Sequence, residues 1–167
     1  TTTATTTLTF SGLVGSETLG QTVGSTFNNK NVGTGKTVTV NSITLANGSN
    51  GGLAANYSIS PGQTSTANVT AKALTATLST ANKIYDSTTF ANTTLSLSGL
   101  IGSETLNVTA NSTFDNKNIG SGKTVTVNSI TLANGTNGGL AANYSIATSQ
   151  TTTATVTAKP LIVSGIT

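Results

Sequence analysis

The chain contains no cysteine, histidine, methionine, tryptophan or arginine, and each absence removes a class of chemistry. Without Cys or His there is no thiol nucleophile, no imidazole base and no soft-metal ligand set. Without Cys no disulfide can hold the fold, although that lack alone does not fix a compartment. Charge is equally sparse. Charged residues are 7% of 167 positions, with seven Lys against only Glu17, Asp86, Glu104 and Asp115, and the net charge is +3. The lysines are scattered and aromatics are 4%, so the sequence offers neither a basic patch nor a stacking platform for nucleic acid. Glu17 and Glu104 each stand in a Gly-Ser-Glu-Thr turn with no second carboxylate nearby in sequence, which leaves no acid–base pair. A calcium site would have to rely on carbonyl oxygens, since no Asp-rich loop is present. No enzyme, no cofactor and no metal is therefore expected. No apolar run reaches membrane-spanning length and no signal peptide is visible, so membrane insertion of this stretch is not expected.

What the sequence has instead is repetition. Residues 35–48, GKTVTVNSITLANG, return unchanged at residues 122–135. The shift between them runs without a gap from residues 11–73 to residues 98–160, and 48 of these 63 positions are identical. A period of 87 residues exceeds any solenoid coil; each unit is the size of a small domain with its own core. Sites built from repeated residues occur at least twice, which extension of a chain requires and chemistry rarely does.

Low hydrophobic content (35%) can signal disorder, but the charge repulsion that keeps disordered chains open is missing here. Thr and Val in alternating runs favour strands. In the second unit Leu74, Ala76 and Leu78 alternate with polar residues, and Leu95 and Leu97 do the same after a turn-rich passage holding Lys83, Tyr85 and Asp86. Leu106 and Val108 predict a third strand, Phe114 a short fourth, and residues 115–123 a loop. Val125 and Val127 share one parity and Ile130 and Leu132 the other, so a bulge at Asn128 and Ser129 is expected, as at Asn41 and Ser42 in the first unit. Asn134, Gly135, Asn137, Gly138 and Gly139 mark a long loop, beyond which Leu140 is expected to plug the core. Tyr144 then sits where a tyrosine corner would bury its ring and bond its hydroxyl to nearby backbone, the alternative being a rim tyrosine. About seven short strands and no helical periodicity predict an all-β chain of two tandem immunoglobulin-like antiparallel β-sandwich modules.

Thr1 aligns with Thr88, so residues 1–73 form a first repeat lacking its first strand, residues 74–160 a complete second repeat, and residues 161–167 the start of a third. The fragment reads as a piece of something longer, open at both ends, with a sheet edge in the first unit that invites a strand from a neighbouring molecule. A rival parse gives modules 1–80 and 88–167 joined by residues 81–87. The parity change between Ala71 and Leu74 favours a boundary near Ala73.

Two sets of residues are candidates for a site. Lys36, Asn56 and Glu17, with their counterparts Lys123, Asn143 and Glu104, have the residue types of an internal isopeptide cross-link, in which a buried Lys amine attacks an Asn amide beside a carboxylic acid. Against this, Lys normally lies at the surface with its stem along apolar neighbours. Asn47, Asn50 and Tyr57, with Asn134, Asn137 and Tyr144, lie on or beside the loops and could contact a carbohydrate or a host protein.

Residues 83–89 (KIYDSTT), 98–102 (SGLIG), 115–123 (DNKNIGSGK), 142–144 (ANY) and 157–159 (TAK) together resemble the YDG-type repeat, related to the MBG-type bacterial Ig-like repeats. The resemblance covers essentially the whole chain. Ser87 stands where the name-giving Gly would be, which implies a less sharp turn. The resemblance implies repeats of very large, haemagglutinin-like bacterial adhesins, exported by two-partner secretion and located at the cell surface or secreted. No catalytic residues belong to that pattern. The function expected is a stalk or spacer that projects a distal binding region in adhesion and biofilm growth. Its partners would be neighbouring repeats and, through the parent protein, host or matrix glycans and proteins. The alternative is a binding module acting through the Asn/Gly-rich loops.

Overall fold

The structure is a computed structural model that describes residues 1–165. It divides into two compact units, Thr1–Thr70 and Ala71–Thr167. Among the described residues the regular structure is β, interrupted by three-residue 3₁₀ turns at Ala54–Asn56 and Ala141–Asn143.

Unit 1 holds one four-stranded sheet in chain order, made of β1 (Thr3–Ala4), β2 (Leu19–Phe27), β3 (Gly33–Asn47) and β4 (Thr64–Val69), all antiparallel. The β2–β3 ladder slips by one residue between Gly24 and Ser25, opposite Ser42 and Val40. This is the bulge that the parity of Val38, Val40, Ile43 and Leu45 requires. It lets both pairs face the same side, with Val38 and Val40 buried and Ile43 and Leu45 half-buried.

Unit 2 holds β5 (Lys72–Thr80), β6 (Lys83–Ile84), β7 (Phe90–Ala91), β8 (Thr93–Ser98), β9 (Leu106–Phe114), β10 (Gly120–Asn134), β11 (Tyr144–Ile146) and β12 (Thr151–Thr157). They form a five-stranded sheet, β6-β12-β10-β9-β7, and a three-stranded one, β11-β5-β8. The same bulge recurs between Val127 and Ser129. Ala91, Phe114, Val125, Ala154 and Val156 make a continuous core against which Tyr85 packs.

Three expectations need correction. The sheets of unit 2 are mixed rather than antiparallel throughout: β11 pairs parallel with β5, and β12 parallel with β6, so the first strands of the unit lie beside its last two. The strands expected around Leu106 and Phe114 are one strand of nine residues. The 115–123 loop is shorter than expected, because β10 begins at Gly120 and steps past β12 through a second irregularity between Gly120 and Lys123.

Candidate functional site

The long β3 and β10 strands have the loop candidates at one end and Lys36 and Lys123 at the other. At the loop end of unit 1, Gly48 and Gly52 lie against the Thr18 carbonyl so closely that an added Cβ at either would stand 2.0 Å from its oxygen. Gly135 and Gly139 meet the Thr105 carbonyl in the same way, at 2.2 and 1.8 Å. Only glycine fits these four positions, so the loop is clamped onto the preceding turn.

The clamp is completed by polar side chains. Asn47 Oδ1 accepts the Ala54 N–H at 2.8 Å, and Asn50 Nδ2 donates to the Ser16 carbonyl at 2.8 Å. Asn134 and Asn137 repeat both contacts, to the Ala141 N–H at 2.8 Å and the Ser103 carbonyl at 3.0 Å. Asn50 and Asn137 hold left-handed backbone, with φ of 57° and 55°. The loop asparagines offered as ligand contacts therefore commit these amide atoms to their own backbone.

Tyr57 accepts the Val14 N–H at 3.0 Å and donates to Glu17 Oε2 at 2.5 Å; Tyr144 does the same with Ile101 (3.1 Å) and Glu104 Oε2 (2.6 Å). Donation to Glu17 raises the Tyr57 phenol above its ordinary value, while the Val14 N–H pulls the other way. The Tyr144 ring is buried, as the corner expectation required, but its backbone partner lies 43 residues upstream rather than nearby. The tyrosine thus ties the strand after the loop to the Gly-Ser-Glu-Thr turn. Sequence reading missed the Tyr–Glu pairing because nothing local connects the two residues.

The lysines sit at the other end. Lys36 Nζ donates to Asn29 Oδ1 and to the Asn31 carbonyl at 2.6 Å. Lys123 Nζ reaches Asn116 Oδ1 at 2.7 Å and Asp115 Oδ1 at 2.8 Å, which lowers the Asp115 carboxyl pKa. Lys36 and Asn47 are eleven residue steps apart along the strand, roughly 35 Å at the usual rise, so Lys36 is far from Glu17 and Asn56, and Lys123 equally far from Glu104 and Asn143. Both isopeptide trios are thereby corrected: the fold does not bring their members together.

A third lysine, absent from either set, organises a turn of its own. Lys83 Nζ lies 2.8 Å from Asp86 Oδ1, 2.8 Å from the Thr88 carbonyl and 3.0 Å from the Phe90 carbonyl, and stands over the Phe114 ring at 5.6 Å. The hydrogen bond from Lys83, helped by the Thr88 N–H and hydroxyl, holds Asp86 down at about 2. Ser87 adopts φ 66°, the left-handed conformation a glycine would take. The turn keeps its sharpness without the glycine, contrary to expectation. The Lys-x-x-Asp spacing was the signal available for this centre.

Beside this turn, Tyr85, Asn118, Ile119, Ala158, Lys159 and Leu161 line an open depression of about 520 Å³. It is largely apolar, with one ammonium and one amide at its rim, and gathers no acid–base pair. Among the described residues, no three His, Cys, Asp or Glu side chains cluster as metal ligands, and no helix is long and apolar enough to cross a membrane.

Comparison with known proteins gives one family. The model for the YDG domain matches residues 1–67 and again residues 70–154. No curated protein and no solved structure matches the chain.

Proposed function

The chain belongs to the YDG domain family along both of its copies, and on that premise we propose that it is a pair of immunoglobulin-like spacer modules. They would belong to the stalk of an extracellular bacterial adhesin, secreted or surface-bound, and have no catalytic role. One observation carries the reading. The candidate polar residues that recur at the 87-residue period are occupied with the fold itself: the four loop amides, the two Tyr–Glu pairs and Lys36 and Lys123 bond to neighbouring backbone or side chains within their own unit. Such repetition supports extent more than recognition. It also weighs against a carbohydrate- or protein-binding role for the loops, since each of these asparagines has one of its two amide atoms already bonded to backbone.

The test is a series of proteins carrying one, two and three copies of the repeat, measured by small-angle X-ray scattering. A spacer adds a constant increment of maximum dimension per copy, about 40 Å if strands of six residues at ~3.3 Å are extended by loops. Copies that collapse onto one another, so that the radius grows as for a single globule, would overturn the proposal. Glycan binding by the isolated pair, lost on changing Asn137, would favour the recognition role instead.

A further inference from the structure

Lys123 is too far from Asn143 and Glu104 to react with either, yet the fold brings it another amide and another carboxylate. The β10 ladder steps from Gly120 opposite Val156 to Lys123 opposite Ala154, one residue more than β12 supplies, with Gly122 left-handed at φ 59°. This bulge lays the lysine stem across Gly120, where an added Cβ would stand 3.3 Å from both Cγ and Cδ. The Lys123 side chain is only 9% exposed. Its amine ends in the connection between β9 and β10, among residues 115–119.

There Lys123 Nζ donates to Asn116 Oδ1 at 2.7 Å and lies 2.8 Å from Asp115 Oδ1. The Asn118 N–H donates to the same Asn116 Oδ1 at 3.0 Å, and Asn116 Nδ2 donates to Asp115 Oδ2 at 3.2 Å. The carboxylate thus touches both the amine and the amide nitrogen, while the donors on Oδ1 polarise the carbonyl between them. We propose that Lys123 and Asn116 join in an isopeptide bond, with Asp115 relaying the protons. Nζ moves from the carbonyl oxygen to the carbon one bond away, its lone pair forms the new bond to Cγ, and the Asn118 N–H holds the oxygen as it gains charge. The Cγ–Nδ2 bond then breaks with its electron pair left on nitrogen. Starting from the ammonium form, Nζ gives up two protons, which Asp115 carries to the leaving nitrogen, so that one ammonium ion departs and nothing is oxidised or reduced. Because Asp115 is 48% exposed, water stabilises the charged pair and the neutral amine that attacks forms seldom. The bond therefore accumulates as the folded chain ages, and the Lys123–Asp115 ion pair is the ground state it forms from.

Unit 1 holds the same turn without the carboxylate. Lys36 Nζ donates to Asn29 Oδ1, and so does the Asn31 N–H at 3.0 Å. Asn28 Oδ1 accepts the Asn29 N–H at 3.1 Å, as Asp115 accepts that of Asn116 at 2.9 Å. An asparagine there cannot relay protons, so Lys36 and Asn29 stay separate. The inference concerns these turns alone and does not depend on the spacer role.

Intact mass, followed while the folded chain is incubated at neutral pH, should show the loss of one ammonia. Succinimide formation at an asparagine loses the same mass, so location decides. Trypsin cuts after Lys117 but not after an acylated Lys123, which leaves residues 84–117 and the peptide starting at Asn118 joined in one branched species. A succinimide leaves them apart. Asp115→Asn, which gives unit 2 the residue that unit 1 already folds with, should abolish the loss. Asn28→Asp should add a second ammonia and a second branched peptide, joining Asn29 to Lys36; circular dichroism checks that both variants are folded. The proposal is overturned by a wild-type chain that keeps its full mass, or by a loss without the branched peptide. An undiminished loss from Asp115→Asn, or no second loss from Asn28→Asp, overturns it equally.

Discussion

Ala4, Phe27, Val38, Ala67 and Val69 of unit 1 are the same residue types as Ala91, Phe114, Val125, Ala154 and Val156 of unit 2, one period apart. In unit 2 all five are buried in one core. In unit 1 only Val38 is buried, while Ala67 is exposed and the other three are half-covered. The sheets that carry them pair in the same register, β1 on β2 as β7 on β9. What differs is the cover. Unit 2 has β6 alongside β12, Tyr85 against the cluster and the Lys83 ammonium over Phe114, all from residues whose counterparts at the 87-residue offset would stand before Thr1 and outside the sequence described. Burial in this fold is thus conferred by a segment at the start of the unit, and not by the identity of the residues it covers. Leu53, 50% exposed, against the half-buried Leu140 tells the same story at the loop end.

The comparison can be broken most directly at the phenylalanines. Phe114→Ala removes a ring that is 3% exposed and leaves a cavity, which should cost about 3–5 kcal/mol. Phe27→Ala removes the same ring from a half-covered site and should cost about 1–2 kcal/mol. Urea unfolding followed by hydrogen exchange, so that each unit's amides report separately, would measure both. Equal costs would mean that unit 1 is as well packed as unit 2 and would undo the argument from cover.

The strands were legible where hydrophobic alternation was clean, as in residues 74–79 and 125–132, and even the bulge was visible as a change of parity. Reading β9 as two strands failed for a specific reason. Its inward face runs Leu106, Val108, Ala110, Ser112, Phe114, and the small polar Ser112, wholly buried, interrupts the apolar pattern while keeping its place in the ladder. The parallel pairs could not be read at all, because alternation tells which face a residue takes and not which strand lies beside it. The candidate sites failed differently. Lys36 and Glu17 were grouped by residue type, although Lys36 stands near the start of the fifteen-residue β3 and Glu17 beside its far end, where Leu19 pairs with Asn47. Lys83, in a turn whose residues were noted one by one, emerges as a centre only when its carbonyl acceptors are folded around it.

A smaller test concerns the turn at Ser87. Ser87 holds a left-handed backbone, which costs a residue with a Cβ roughly 1–2 kcal/mol, partly offset for glycine by its greater freedom when unfolded. Ser87→Gly should therefore stabilise unit 2 by about 0.5 kcal/mol and leave unit 1 where it was. A thermal scan resolving the two units would show the gap between them widen. A fall in the stability of unit 2 would mean that the serine hydroxyl contributes something the geometry does not reveal.

The smallest expected effect is that of acid, and it should narrow the same gap. Asp86 is held at about 2 by Lys83, and Asp115 is lowered by Lys123. Unit 1 has Asn28 in place of Asp115, and among residues 1–70 its one carboxylate is Glu17. Because each folded pKa lies below the unfolded carboxylate value of about 3.9, the unfolded chain takes up protons first as pH falls. The stability these carboxylates contribute is complete above about pH 4 and is lost as pH falls towards about 2. Both carboxylates are exposed, so the contribution is modest and weakens with salt. Unit 2 should lose part of its advantage over unit 1 between pH 5 and pH 2 at low ionic strength, as about 3.9 is crossed, and less of it at high salt. Asp86→Asn should flatten that dependence. If both units shift in parallel with pH, the ion pairs at Lys83 and Lys123 do not distinguish them, and cover alone accounts for the difference.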